Sequence, residues 1–133
     1  MIRALSASRE PKVVQAALDL ILHSGLDGRQ SFPVLFGPLA NPETKRLPFE
    51  FVRANYEELI GRLPDDIRAF LPGVGTAFCD ADSRKEFVAL FEQSSNKFVG
   101  GPRNYRQALE TIRLCEERMA AEGADVAAYF ARQ

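Results

Sequence analysis

Apolar residues in this chain recur at steps of three and four, and no segment alternates strictly at steps of two between hairpin turns. That periodicity is the strongest constraint on the fold, because it builds apolar helix faces and supplies no half-buried strand from which to make a sheet. Val14, Ala17, Leu18 and Ile21 share one face of a helix opened by Pro11, whose missing N–H is not needed in a first turn, and ended by Gly25 and Gly28. Phe49, Val52, Tyr56, Leu59 and Leu63 make a second stripe, and Tyr105, Ala108, Ile112, Cys115 and Met119 a third. Shorter stripes at Phe87, Leu90 and Phe91, and at Val126, Tyr129 and Phe130, each mark one more helix.

Proline and glycine punctuate the pattern. Pro33 sits in the first turn of a helix expected to run to about Ala40, and Asn41-Pro42 reads as a turn. Pro48 either opens the next helix or bends one begun near Glu43. Pro64-Asp65-Asp66 opens another with acids at its positive end, and Ser94 to Gly101 is the longest irregular stretch. About seven helices, starting near residues 11, 31, 46, 65, 82, 103 and 124, are therefore expected. Short connections between them suit an all-α fold, an irregular α-solenoid of stacked hairpins with no sheet; a compact helical bundle is the alternative.

Composition narrows the function. A length of 133 residues, 46% hydrophobic and 26% charged, suits a single folded domain over 1–133. Seventeen Lys+Arg against eighteen Asp+Glu, with no basic run, argue against nucleic acid as a partner. The longest apolar stretch, Val13 to Leu22, is interrupted by Gln15 and Asp19 and is too short to span a bilayer. No secretory signal follows Met1, so the expected compartment is the cytoplasm.

Catalytic material is scarce. With one histidine, no H-E-x-x-H zinc pair can form, and neither a G-x-S-x-G elbow nor a phosphate-binding glycine loop occurs. No catalytic residue, metal ligand or cofactor is assigned to this chain. His23, in the last turn of the first helix, suits the negative helix end. Cys79 and Cys115 lack a C-x-x-C partner; a disulfide is open to them, but the favoured reading is two reduced, buried thiols. Asp65-Asp66 and Glu57-Glu58 point in different directions on their helices and read as solvated charge. More suggestive are the cations at helix starts: Arg29-Gln30, Lys45-Arg46, and Arg103 with Tyr105 and Arg106. A guanidinium beside backbone N–H groups can hold a carboxylate, including a peptide C-terminus, although surface ion pairing is the commoner fate.

The series Ser8-Arg9-Glu10-Pro11, Val14 to Leu20, Arg29-Gln30, Phe32-Pro33, Ala40-Asn41-Pro42 and Phe49 to Leu59, followed by Thr76-Ala77-Phe78, Phe87 to Phe91 and Gln107 to Arg113, resembles the C-terminal helical domain of M1-family zinc aminopeptidases, often called endoplasmic reticulum aminopeptidase-like. The resemblance runs from about Leu5 to Phe130. It implies a HEAT- or armadillo-type solenoid that closes over a thermolysin-like catalytic domain and walls the peptide chamber, with the zinc and the catalytic glutamate in an upstream part of a bacterial-type parent. That domain is usually about twice as long, so the chain reads as its C-terminal part, with Ile2 to Ser8 the tail of a helix. Ser31, Pro48 and Tyr56 depart from the family's usual acidic residue, helix former and tryptophan. The expected partners are the parent's catalytic domain and its peptide substrate, the latter held through Arg29, Gln30, Lys45 and Tyr56. Loss of upstream helices would bare Val13 or Leu20 and favour self-association through the N-terminal helices. A free-standing solenoid adaptor for another protein is the rival reading.

Overall fold

The computed structural model describes residues 2–25 and 27–132. Among them the regular structure is entirely helical: α1 Ile2–Ser6, α2 Pro11–His23, α3 Gly28–Ser31, α4 Leu47–Ala54, α5 Tyr56–Arg62, α6 Asp65–Arg68, α7 Ala81–Phe91 and α8 Gly101–Ala131, with four single-turn 3-10 segments between them.

The stripes of α2 and α4 pack as their spacing predicts. Val14, Ala17, Leu18 and Ile21 are buried, as are Phe49 and Val52, and Pro48 opens α4 in its first turn rather than bending it. The long second stripe is divided between α4 and α5 at Asn55, whose side-chain amide donates to the Phe51 carbonyl at 2.9 Å and closes the first of the two helices. The helix expected from residue 31 is instead the short α3 followed by two 3-10 turns, Phe32–Leu35 and Gly37–Ala40. Pro38 explains this: five residues after Pro33, it removes an N–H and crowds the preceding turn, so the chain restarts rather than continuing as α-helix. A proline-opened 3-10 turn, Leu71–Gly75, likewise follows α6.

A run of rings joins the halves of the core. Phe49 of α4 meets Phe78 edge-on at 5.0 Å and Phe91 of α7 at 6.2 Å, while Phe87 contacts Phe91 and stacks on Tyr105 of α8 at 5.5 Å. Gly75 and Gly101 permit the closest approaches. A Cβ at Gly75 would overlap the Phe87 ring, and one at Gly101 would collide with the Ser95 backbone carbonyl where α8 begins.

Three expectations are corrected. The helices foreseen from residues 103 and 124 are one continuous α8 of 31 residues. Only its first half packs: Gly101, Ala108 and Ile112 are buried, whereas Met119, Val126, Tyr129 and Phe130 are all more than half exposed. Cys79 and Cys115 are not free thiols but a disulfide, with Cα atoms 5.1 Å apart, tying the residue before the Asp80 cap of α7 to the middle of α8. Their 36-residue separation hides this in the sequence, because only the docking of α8 beside α7 brings them together.

Candidate functional site

Arg29 is the second residue of the α3 turn, where the Asp27 carboxylate accepts a hydrogen bond from the Arg29 backbone N–H at 2.8 Å. Its guanidinium is engaged: two parallel hydrogen bonds of 3.0 and 2.9 Å go to the carboxylate of Asp66 in the first turn of α6. Planar two-point pairing of this kind occupies the fork that a peptide carboxylate would need. Gln30 is exposed beside it. Tyr56 starts α5 half-buried, its ring packed against the core.

Lys45 lies elsewhere. It edges a cleft of about 430 Å³ together with Leu39, Pro42, Ala77, Leu114 and Arg118. Neither Lys45 nor Arg118 has a carboxylate partner among the described residues, so this cleft combines two available cations with apolar walls. The four expected peptide contacts thus fall into three settings: Arg29 and Gln30 at the α3–α6 edge, Tyr56 on the core, and Lys45 in the small cleft.

Its neighbour Arg46 has a structural task. The guanidinium donates to Ser83 Oγ and to Glu86, both at 2.6 Å, reaches Glu50 at 3.4 Å, and lies over the Phe78 ring, clamping α4 to α7. This pairing holds the Glu86 carboxyl below its ordinary value. The Asp80 carboxyl is lowered by hydrogen bonds from the Ser83 backbone and hydroxyl, and that of Asp66 by hydrogen bonding from Arg29. Each group binds its proton less tightly folded than unfolded, so each adds stability above the unfolded values near 4 and loses it as pH falls through the folded ones. The urea midpoint should therefore drop between about pH 5 and pH 3, and Asp80→Asn should flatten the decline. A midpoint independent of pH over that interval would remove these groups from the stability of the fold.

A larger cleft, about 860 Å³, went unread in the sequence. It separates α6 from the start of α8. Arg68 closes one wall by donating to the Leu63 carbonyl and to Asp65 and by lying 6.0 Å from the centre of the Phe98 ring; Asn104 bridges to the Ala69 carbonyl at 2.9 Å. Its rim carries Phe70, half exposed, and Val99, 99% exposed, with Lys97 and Arg103, which have no partner among the described residues. Arg103 is legible in the sequence as a helix-start cation; the rest of the wall comes from segments that only tertiary packing assembles.

Metal donors are poorly placed. His23 ends α2 exposed, both cysteines are consumed by their disulfide, and no group of three or more His, Cys, Asp or Glu among the described residues is arranged to hold an ion. No described helix is long and apolar enough to cross a membrane. The family model of the ERAP1-like C-terminal domain matches residues 1–114. No match was found to a curated protein or to a solved structure.

Proposed function

Because the chain belongs to the ERAP1-like C-terminal domain family, we propose that it is a non-catalytic part of an M1-family zinc aminopeptidase, walling the peptide chamber of a catalytic domain carried elsewhere in the parent. The observation that carries this reading is the family match over residues 1–114. Zinc belongs, in this reading, to that other domain, since the donors here do not fit it. The chain is then one piece of a longer solenoid. Leu5 and Leu20, each 37% exposed, together with half-buried Val13, are the surface that preceding helices would cover or through which the isolated chain would self-associate. A disulfide also favours an oxidising compartment over the cytoplasm.

For the peptide's distal end, the small cleft is the better seat. Lys45 and Arg118 offer charge, and Leu39, Pro42 and Leu114 offer apolar contact. Arg29 joins only by exchanging Asp66 for the peptide carboxylate, with Gln30 beside it and Tyr56 as a more distant aromatic contact. Lacking contacts to the peptide's N-terminus, binding should be weak, with Kd on the order of millimolar. Chemical-shift mapping with a peptide and its C-terminally amidated form tests this. Shifts around Lys45 and Arg118 that vanish with the amide and with Lys45→Ala are expected. Shifts unaffected by amidation would sink carboxylate capture, and shifts confined to Arg29 in an Asp66→Ala chain alone would move the seat to α3.

A further inference from the structure

The Cys79–Cys115 bridge is set in the wall of the small cleft, not in the core. Both cysteines are half-buried, and Cys115 lines the cleft whereas Cys79 does not, so a molecule entering from solvent meets the Cys115 sulfur first. Charge around that sulfur is one-sided. Arg118, one turn further along α8, brings Nη2 to 3.8 Å from Cys115 Sγ, Lys45 edges the same cleft, and no acidic side chain among the described residues lines it. The acids adjacent to the two cysteines are engaged elsewhere: Asp80 caps α7 by accepting from Ser83, and Glu116 pairs with Arg84 at 2.9 Å. At about 430 Å³ the cleft falls within the ~300–1,000 Å³ typical of small-molecule sites.

We propose that this cleft is a thiol-exchange site, in which a small thiol bearing a carboxylate is held by Lys45 and Arg118 and forms a mixed disulfide with Cys115. The incoming thiolate attacks Cys115 Sγ. A new sulfur–sulfur bond forms as the Cys79–Cys115 bond breaks, and the electron pair of the broken bond leaves on Cys79 as a thiolate, which takes a proton from water. The incoming sulfur is oxidised and Cys79 is reduced, so no other oxidant or reductant enters. The two cations supply the selectivity. Both lack an ion-pair partner among the described residues, and a carboxylate held between them keeps its own thiolate beside Cys115, an advantage that a neutral thiol does not share. Exchange also has a structural consequence: it opens the cross-link that holds α8 where the helix continues past Ile112 as an arm with no buried residue. The proposal does not depend on the aminopeptidase reading or on the peptide seat, since it uses only the bridge and the two cations.

N-acetylcysteine, which carries a carboxylate, and N-acetylcysteine amide, which does not, test it on the folded 133-residue chain. Exchange is stopped at early times with N-ethylmaleimide, which caps released thiols, and mass spectrometry of the digested chain locates the adduct. The expected first product carries N-acetylcysteine on Cys115 and maleimide on Cys79. The initial rate with the acid, divided by that with the amide, should fall at least about fivefold in a chain carrying Lys45→Glu and Arg118→Glu. Comparing this ratio between chains cancels the intrinsic reactivities of the two thiols. Should the reversed chain lose helical dichroism, Lys45→Gln with Arg118→Gln takes its place, and the ratio should fall in the same direction. An adduct on Cys79, exchange that occurs only in urea, or a ratio unchanged by removing the two charges would overturn the proposal.

Discussion

Replacing Cys79 and Cys115 together by serine is expected to lower the free energy of unfolding by about 3–4 kcal/mol, the loop-closure entropy that a bridge across 36 residues removes from the unfolded chain. Its position adds a local consequence. Beyond Ile112 no α8 residue is buried, so the bridge at Cys115 is the last covalent hold on the helix before the arm. The ion pair of Arg84 with Glu116, at 2.9 Å, stands beside it but lacks a directed hydrogen bond from Nε. Urea unfolding with and without reductant should show the loss, and hydrogen exchange should quicken first in the turns after Ile112. An unchanged midpoint in reductant would mean that the bridge does not constrain the chain.

Phe87→Ala should cost about 3–5 kcal/mol, the range for removing a fully buried ring from a core that cannot collapse around the space. Phe87 has no exposed surface, and its ring connects Phe91 of α7, Tyr105 of α8 and the Gly75 backbone. Gly75→Ala fails for the opposite reason. Its new methyl would overlap the same ring, whose Cε2 stands 2.9 Å from that position, and should cost about 1–3 kcal/mol. The two sites share one volume, so Gly75→Ala combined with Phe87→Leu should be less damaging than the sum of the two changes. Strict additivity in thermal or urea unfolding would separate Gly75 from the ring.

Local features were legible where a helix carries its own boundary and its own face. Pro11 and the stripe ending at Ile21 place α2. The stripe from Tyr105 to Met119 marks the packed face of α8 as far as Ile112, while Met119 at its end is exposed. Failures occurred where a local signal was outweighed. The helix expected to start near residue 124 is a continuation of α8 through Gly123, because a glycine costs only about 1 kcal/mol in a helix interior and Ala120, Ala121 and Ala124 stand near it. Conversely, Pro38 divided a stretch whose apolar residues looked continuous.

Site residues were harder to read because a cation's role depends on what stands opposite. Arg29 and Lys45 look alike as bases near helix starts, but Asp66, 37 residues along, occupies one and nothing described occupies the other. Arg46 looked like its neighbour Lys45 until Ser83 and Glu86 were brought against it. The amino-acid sequence by itself determined the all-helical class, the packed faces of the main helices and, through ordered motifs, the family. The class and the faces are written in residue spacings shorter than one helix, and the family in the order of such segments along the chain. Tertiary structure alone decided the disulfide, the occupied and available cations, the large cleft and the uncovered half of α8, because each depends on segments tens of residues apart meeting, or failing to meet, in the folded core.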